Sequence, residues 1–309
     1  MKIVSLFSGA GGLDLGFIMA GHQIIWANDL YKDAVDTYRR NIGDHIVLED
    51  ITNIPSSAIP DCDLVIGGFP CQGFSVANVK RHTDDKRNSL YKELLRVVTD
   101  KAPKFFMAEN VKGLLSIGNG EVIKMIIKDF SDIGYKVQYR LFNTADFGVP
   151  QIRQRVIIVG VRNDITYDFC YPTPTHNRNG DAGLKKWKSV MDAIGHFPNP
   201  DEPNDYPNHE YSHYKMNMNG YIGHRPLQAD LPSPTITARG DDKGGVVIHP
   251  HPNGERRMTC REVAAIQTFP DDFFFCGSKS SIYRQIGNAV PPLFAYSLAK
   301  QFPMETLDV

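Results

Sequence analysis

The run Ile3-Val-Ser-Leu-Phe-Ser-Gly-Ala-Gly-Gly12 decides the fold of this chain. Its apolar residues predict a buried strand, and its glycines predict a tight turn at which the backbone can approach a ligand closely. The stretch Leu13-Asp-Leu-Gly-Phe-Ile-Met-Ala20 follows directly and predicts a helix. A strand that leads through a glycine loop into a helix is typical of parallel α/β sheets, in which the loop lies at the helix N-terminus.

Four further apolar runs in the first half of the chain predict strands, and helical patterns separate them. These runs are Gln23 to Ala27, Leu64 to Phe69, Lys104 to Ala108 and Val156 to Val161. Strands that alternate with helices form parallel sheets with helices on both faces. We therefore predict a doubly wound, mostly parallel α/β fold, in which ligands bind beyond the carboxyl ends of the strands.

The character of the sequence changes after about Cys170. Seven of the ten histidines lie between Cys170 and His251, in a region with little periodicity of either kind. Order returns at Thr259, where Glu262 completes a capping-box pattern at the start of a helix. We predict a large α/β domain of residues 1–195 and 278–309 and a smaller, loop-rich domain of residues 196–277.

Composition excludes several classes of protein. Of 309 residues, 42% are hydrophobic and 22% are charged, as in ordinary globular proteins, and no apolar run is long enough to cross a membrane. The N-terminal apolar stretch is too short for a signal peptide, so we expect a cytoplasmic protein. The five cysteines are odd in number and form no C-x-x-C pair, so we expect reduced thiols and no metal site.

The overall charge does not indicate a polyanion-binding protein. The formal net charge is -1, and the residues between Arg162 and Glu255 include nine Lys and Arg against twelve Asp and Glu. Any binding of nucleic acid must therefore depend on local basic patches and not on the charge of the whole molecule.

Polar side chains follow the predicted strands at the points where they end. Asp29 is placed to accept hydrogen bonds from ribose hydroxyls, and Asp50 could accept one from an adenine amino group. Each aspartate taken alone could equally be a solvated turn or a helix cap. Together with the glycine loop they indicate a nucleoside-containing cofactor.

Cys71 and Glu109 follow two further strands and should lie on the same rim. Cys71 stands in the run Asp63-Leu-Val-Ile-Gly-Gly-Phe-Pro-Cys-Gln72, in which a buried strand ends abruptly and presents one thiol. A lone cysteine at such a position is either a nucleophile or a structural thiol. The surrounding residues favour the nucleophile.

Six motifs in this order closely resemble those of the cytosine-C5 DNA methyltransferases, and the resemblance covers nearly the whole chain. The motifs are Leu6-Phe-Ser-Gly-Ala-Gly-Gly12, Gly68-Phe-Pro-Cys-Gln72, Glu109-Asn-Val111, Gln151-Ile-Arg-Gln-Arg155, Arg261-Glu262 with Phe269-Pro-Asp271, and Gln285-Ile-Gly-Asn-Ala289. The resemblance implies a Rossmann-like catalytic domain that binds S-adenosylmethionine, and a target-recognition domain at residues 196–277.

The resemblance also implies which residues line the cofactor pocket. Many relatives place an aromatic residue beside the acidic one that ends the second strand, whereas this chain has Leu30, so we expect it to hold the adenine ring less specifically. The implied pocket residues are Phe7, Gly9, Ala10, Gly12, Asp29, Leu30, Asp50, Ile51, Pro70, Leu90 and Asn288.

The implied chemistry begins with attack of the Cys71 thiolate on C6 of a cytosine that has been rotated out of the duplex. Glu109 would donate a proton to N3, and Arg155 would stabilise charge at the base oxygen. Arg153 and Arg155 alternate on a predicted strand, so both should point to one face and could hold base oxygen and phosphate together.

The resemblance further implies double-stranded DNA as the partner of a protein that acts as a monomer in restriction-modification. A basic loop directly after the nucleophile would contact phosphates through Lys80, Arg81, Lys86 and Arg87. Arg225 and Arg239 are candidates for contacts with guanine. Other candidate base-reading side chains lie within residues 208–212, 217–219 and 235–245.

Two alternatives remain open at this point. One branch of the same family modifies tRNA, so the chain could be a tRNA cytosine-C5 methyltransferase, although its variable domain favours DNA. A catalytically silent DNA-binding relative is the other, and intact Cys71, Glu109 and Arg155 argue against it.

Overall fold

A seven-stranded sheet forms the centre of the protein. The computed structural model describes residues 1–70, 89–213, 225–238 and 248–304. The strand order is β3-β2-β1-β4-β5-β7-β6. The strands are β1 (Lys2–Leu6), β2 (Gln23–Asp29), β3 (Ile46–Leu48), β4 (Leu64–Gly67), β5 (Phe105–Val111), β6 (Tyr135–Asn143) and β7 (Gln154–Arg162).

The prediction of a doubly wound, mostly parallel sheet is confirmed. Strands β1 to β5 pair in parallel, whereas β7 runs antiparallel to both β5 and β6. The sequence pattern located β7 but not its direction, and it missed β6 altogether. Strand β6 lies at the edge of the sheet, and only Tyr135 and Phe142 of its nine residues are buried, so it lacks the apolar run that marks the inner strands.

Helices cover both faces of the sheet. Helices α1, α2 and α8 contribute buried residues to one core cluster, and α3 and α4 contribute to a cluster on the opposite face. The helices are α1 (Gly12–Met19), α2 (Lys32–Asn41), α3 (Ser89–Lys101), α4 (Glu121–Asp132), α5 (Val190–Ile194), α6 (Cys260–Ile266), α7 (Lys279–Asn288) and α8 (Pro292–Ala299).

The two core clusters follow from the alternation of side chains along each inner strand. In β5, Phe105 and Met107 belong to the first cluster, whereas Phe106 and Ala108 belong to the second. Because successive residues of a strand point to opposite faces, a strand that is buried on both faces must be apolar throughout. The same alternation decides which residues share a face at the end of each strand.

A third cluster joins the glycine loop to the C-terminal half of the chain. It includes Ala10, Leu227 and buried residues of α5, α6 and α7. Helix α6 begins with the predicted capping box: the Thr259 side chain accepts a hydrogen bond from the Glu262 amide (3.0 Å), and Glu262 accepts one from the Thr259 amide (2.8 Å). The predicted boundaries of the loop-rich domain stay a prediction.

Among the helices in the described part of the chain, none is both long and apolar enough to cross a membrane.

Replacement of Phe130 tests the packing between β5 and α4. Its ring is fully buried and stacks on Phe106 at a centroid distance of 4.1 Å. We expect Phe130→Ala to lower the free energy of unfolding in urea by about 3–5 kcal/mol, because it leaves a cavity. The control Met125→Ala, on the exposed side of the same helix, should change it by less than about 0.5 kcal/mol. Equal effects would contradict the assigned packing.

Candidate active site

The loop between β1 and α1 has the strained backbone that its glycines predict. Phe7, Gly9 and Gly11 have φ angles of 55°, 56° and 86°. A Cβ atom at Gly9 would have no heavy atom within 4 Å, so the space next to this residue is open. The amide of Gly9 donates a hydrogen bond to Asp29 Oδ2 at 2.8 Å, which ties the loop to the end of β2.

The glycine loop packs closely against the segment that follows α7. A Cβ atom at Gly12 would lie 2.5 Å from the carbonyl oxygen of Val290, so only glycine permits this approach. Ala10 is buried beside α6 and α7. Asn288, the last residue of α7, is exposed two positions before Val290. The structure therefore brings Asn288 to the same rim as the loop.

The two predicted acidic residues also end up on this rim. Asp29 Oδ1 accepts a hydrogen bond from the Tyr31 amide at 2.8 Å, and burial raises the pKa of Asp29 although its backbone hydrogen bonds oppose the shift. Asp50 caps the short helical turn at 51–53, because its Oδ1 accepts from the amide and the hydroxyl of Thr52. The buried Ile51 follows it.

The remaining predicted pocket residues differ in exposure. Leu30 is 60% exposed, and the adjacent Tyr31 is 58% exposed, so two large side chains face solvent directly after β2. Pro70 is exposed at the end of the first described range. Leu90, near the start of α3, is half-buried against the second core cluster.

A buried polar network that the sequence analysis did not predict lies beneath the glycine loop. Asp14 is fully buried and accepts hydrogen bonds from the Ser5 hydroxyl (2.7 Å) and the Tyr38 hydroxyl (2.8 Å). Burial raises the pKa of Asp14 to about 6, although both hydrogen bonds lower it. Since Asp14 lies in α1 and Ser5 in β1, this network fixes the two elements that flank the loop.

Glu109 and Arg155 form an ion pair at the end of β5. The Arg155 Nε atom lies 2.6 Å from Glu109 Oε1, and both side chains are about nine-tenths buried. In the antiparallel pair, Glu109 lies opposite Ile157 and Val111 lies opposite Arg155. Glu109 and Arg155 are therefore diagonal neighbours on one face of the sheet, within reach of long side chains.

The loop that follows β4 lies beside this ion pair. The Asn110 side chain donates a hydrogen bond to the carbonyl of Phe69 at 2.9 Å in the buried interior. A Cβ atom at Gly68 would lie 3.2 Å from Glu109 Oε2, so the backbone passes directly beside the carboxylate. The backbone just before Pro70 therefore lies beside Glu109 and Asn110. Asn110 was not predicted to have a role, although its position directly after Glu109 was the available signal.

Arg153 is oriented towards the same region but is fully buried. Its guanidinium donates to the carbonyls of Ile236 (2.9 Å), Gly287 (2.8 Å) and Ala289 (3.0 Å). Burial and then the nearby Arg155 lower the pKa of Arg153 well below its ordinary value, and Glu109 partly offsets them. These contacts describe a residue that holds backbone segments in place, and a direct catalytic role for it stays a prediction.

Gln151 extends this anchoring. Its side chain donates to Gln267 Oε1 at 2.5 Å and accepts from the Ile236 amide at 2.9 Å. Gln267 in turn donates to the carbonyls of Ile286 and Ala289. The start of β7, the segment 233–238 and the ends of α6 and α7 are therefore held together beside the ion pair.

Most of the predicted DNA-contacting residues lie outside the part of the chain that the structure describes. Arg225 is exposed. Cys71, Lys80, Arg81, Lys86, Arg87 and Arg239 lie outside the described residues, as do residues 217–219.

One prediction about base-reading side chains is corrected. The Asn208 side chain bonds both the amide and the carbonyl of Phe275, and the His209 ring bonds the Thr259 hydroxyl and the Pro198 carbonyl. His209 is 6% exposed. Both side chains use their hydrogen-bonding groups to stabilise the region around α6, so they do not face base edges.

The four described cysteines are free thiols. Burial raises the pKa of Cys62 and of Cys260 to about 12, which makes both poor nucleophiles near neutral pH. Cys170 is exposed and Cys276 is half-buried, and neither belongs to the rim residues described above.

The protein therefore has an α/β fold with a glycine loop between β1 and α1 and a carboxylate–guanidinium pair at the end of β5. The family model described as C-5 cytosine-specific DNA methylase matches residues 1–303. This chain belongs to the C-5 cytosine-specific DNA methylase family.

Named relatives and solved structures agree with this assignment. The Type II methyltransferase M.NgoFVII of Neisseria gonorrhoeae is 44% identical over 330 aligned positions, which cover 97% of this chain and 85% of the relative. The Type II methyltransferase M.BsuRI of Bacillus subtilis is 39% identical, and the alignment covers 97% of this chain and 78% of the relative. The crystal structure of the S. pombe Dnmt2 methyltransferase is similar in fold, with a TM-score of 0.70, 20% identity and coverage of 96% and 97%.

Replacement of Asn110 tests the attachment of the loop after β4. Asn110→Ala leaves the Phe69 carbonyl without its buried donor, which should cost about 1–3 kcal/mol of stability. Because the reactive loop shifts relative to Glu109, we expect kcat for methyl transfer to fall about 10- to 100-fold while the Kd for cofactor stays within about twofold. The exposed Asn163→Ala is the control. A loss of cofactor affinity with unchanged kcat would refute this role.

Replacement of Asp14 should change the pH dependence of stability. Its ordinary pKa of 3.8 is raised to about 6 in the folded protein, so folding favours the protonated form. The resulting stabilisation is present at about pH 4 and is lost as the pH rises through 6. Relative to Asp14→Asn, we expect the wild-type free energy of unfolding to fall by about 2 kcal/mol between pH 4 and pH 7. A constant difference across this range would contradict the buried carboxyl assignment.

Proposed function

We propose that this protein transfers a methyl group from S-adenosylmethionine to C5 of a cytosine in a specific short site of double-stranded DNA. The observation that carries the proposal is the Glu109–Arg155 ion pair at 2.6 Å, next to the loop that leads from Pro70 to Cys71. The Type II methyltransferase names of the relatives favour DNA over tRNA and favour a role in protecting DNA against a cognate restriction endonuclease.

The residues of the glycine loop and the neighbouring strand ends fit a nucleoside. The open space beside Gly9 lets a ligand approach the backbone. Asp29 and Asp50 supply carboxylate acceptors for ribose hydroxyls and an adenine amino group, and Leu30 supplies exposed apolar surface. The further proposed pocket residues are Phe7, Ala10, Gly12, Ile51, Pro70, Leu90 and Asn288. When bound, S-adenosylmethionine supplies an electrophilic methyl group.

The chain's own residues must make cytosine C5 nucleophilic, because the unmodified base is too weak a nucleophile. The Cys71 thiolate attacks C6, and electron density moves towards C5, N3 and O2. In the proposed step a protonated Glu109 transfers its proton to N3 and is left as the carboxylate that pairs with Arg155, while Arg155 stabilises the charge at O2. After methylation, water takes the C5 proton, N3 returns its proton to Glu109, and the Cys71 thiolate leaves C6, which restores the aromatic ring.

The base must leave the duplex to reach this site. A stacked cytosine does not expose C6 to a side-chain nucleophile, and methyltransferases in general rotate the target nucleotide into the active site. We propose that Lys80, Arg81, Lys86 and Arg87 contact phosphates around the opened site and that Arg225 and Arg239 contact bases.

The choice of substrate can be tested directly. Purified protein is incubated with S-adenosylmethionine labelled in its methyl group and with either unmethylated duplex DNA or total tRNA. We expect 5-methylcytosine to appear in the DNA. Label found only in tRNA would reject the proposal.

Replacement of the nucleophile separates chemistry from binding. Because a serine hydroxyl is far less nucleophilic than a thiolate near neutral pH, Cys71→Ser should abolish turnover and leave the cofactor Kd nearly unchanged. Cys170→Ser, at an exposed position away from the rim, is the matched control and should retain wild-type activity. Retained turnover in Cys71→Ser with lost cofactor affinity would contradict the assigned role.

A further inference from the structure

A short loop between β7 and α5 carries an excess of positive charge. The segment 175–188, here named the basic loop, contains two short paired strands, β8 (His176–Asn177) and β9 (Lys185–Lys186). Its four cations are all exposed, and its one acidic residue is Asp181. The cations are Arg178, Lys185, Lys186 and Lys188. With histidine neutral, the loop has a net charge of +3, four cations less one carboxylate, in a chain whose net charge is -1.

The four cations form no ion pair with any residue that the structure describes. Other surface lysines do, as in the pairs Lys124–Glu121 and Lys128–Asp132. The single acidic residue of the loop instead accepts hydrogen bonds from the Asn177 side chain. The pKa of Asp192 is lowered chiefly by its hydrogen bonds with Ser189 and to a smaller extent by Lys188 and Lys186, so described neighbours compensate the charge of the basic loop only in part.

Specific contacts hold the basic loop against the end of β6. The Thr175 amide donates to the carbonyl of Asp146 (2.9 Å), and the Trp187 indole donates to Asp146 Oδ1 (2.9 Å). The Trp187 amide bonds the Asn177 carbonyl at 2.7 Å, which closes the loop on itself. A Cβ atom at Gly148 would lie 2.9 Å from the His176 ring, so the loop is also closely packed. Like charges are thus kept together on a fixed framework.

This attachment places the basic loop at the same end of the sheet as the ion pair. Strand β6 ends, and β7 begins, at the end of the sheet where Arg155 contacts Glu109. Strand β6 lies two positions from β5, which corresponds to about 10 Å at the usual strand spacing. One turn of duplex DNA is about 34 Å long. A duplex with its target base at Glu109 that runs across the strand ends from β5 towards β6 is therefore long enough to reach the basic loop.

We propose that the basic loop is a second phosphate-binding surface, which contacts the DNA backbone beside the target cytosine. The inference rests on the proposed function, since it takes duplex DNA as the substrate. The four side chains act as charges that position the duplex and do not read its sequence. They add to the cations predicted to follow Cys71 and lie in a different part of the chain.

The test removes the four charges together. The loop variant carries four substitutions: Arg178→Gln, Lys185→Gln, Lys186→Gln and Lys188→Gln. Its binding to a duplex oligonucleotide is compared with that of wild type at several salt concentrations. A matched control replaces four exposed lysines by glutamine: Lys124 and Lys128 on α4, and Lys2 and Lys136 where β1 and β6 begin, at the opposite ends of the strands. Melting temperature and cofactor affinity verify that both variants are folded. The double variant Lys185→Gln, Lys186→Gln provides a graded second comparison.

We expect the slope of log Kobs against log salt to fall by about 0.9 for each phosphate that the variant no longer neutralises. The DNA Kd of the loop variant should rise roughly tenfold or more at about 0.1 M salt, and kcat at saturating DNA should stay within about twofold. The double variant should show a smaller change in the same direction.

Wild-type slope and Kd in the loop variant, or the same change in the control variant, would overturn the proposal. A change in affinity for tRNA and not for duplex DNA would also overturn it. If the wild-type protein did not methylate duplex DNA, the proposed function would be wrong. That outcome is distinguishable from a failure of the present proposal, which is judged by the difference between the loop variant and wild type.

Discussion

The ion pair between Glu109 and Arg155 depends on one property of the sheet, the antiparallel direction of β7. Antiparallel pairing brings the start of β7 to the carboxyl end of β5, so Arg155 lies opposite Val111. A parallel β7 would place Val161 and Arg162 at this edge instead. Two charged side chains that are about nine-tenths buried are costly to desolvate, and removal of either partner alone leaves a buried charge. The reversed strand β7 therefore brings Arg155 to Glu109 of β5.

The neighbouring loops are held to the ends of the strands by hydrogen bonds between side chains and the backbone. Asn110 binds the carbonyl of Phe69, and Asp29 binds the amide of Gly9, so the ends of β5 and β2 each hold a loop that follows another strand. Arg153 and Gln151 extend the attachment to residues 233–238. Such a framework holds the glycine loop, the loop that follows β4 and residues 233–238 in fixed relation, as precise positioning of reacting groups requires.

The sequence was sufficient to predict the parts of the fold that local patterns encode. Apolar runs located the inner strands, the glycine run located the turn between β1 and α1, and Thr259 with Glu262 located the start of α6. The direction of β7 was not predictable, because alternation of side chains is the same in either direction. Strand β6 was missed because an edge strand is exposed on one side and needs no continuous apolar run.

Long-range contacts explain what remained unpredicted in the site. Asp14 resembled an ordinary helix residue, yet it is buried by Tyr38, which lies 24 positions away in the sequence. Arg153 and Arg155 were expected to act alike, but the carbonyls of Ile236, Gly287 and Ala289 surround Arg153. Asn208 and His209 looked suited to base edges until the contacts with Phe275 and Thr259 were known. Only the folded chain brings such partners together.

The account is tested most directly by trapping the covalent intermediate with duplex DNA that contains 5-fluorocytosine at the target site. Fluorine at C5 cannot leave as a cation, so elimination of the enzyme stalls, and mass spectrometry identifies the attached cysteine. The account predicts an adduct on Cys71, formed about 10²- to 10⁴-fold more slowly by Glu109→Gln because the proton donor is lost. An adduct on another cysteine, or an unchanged rate in Glu109→Gln, would contradict it.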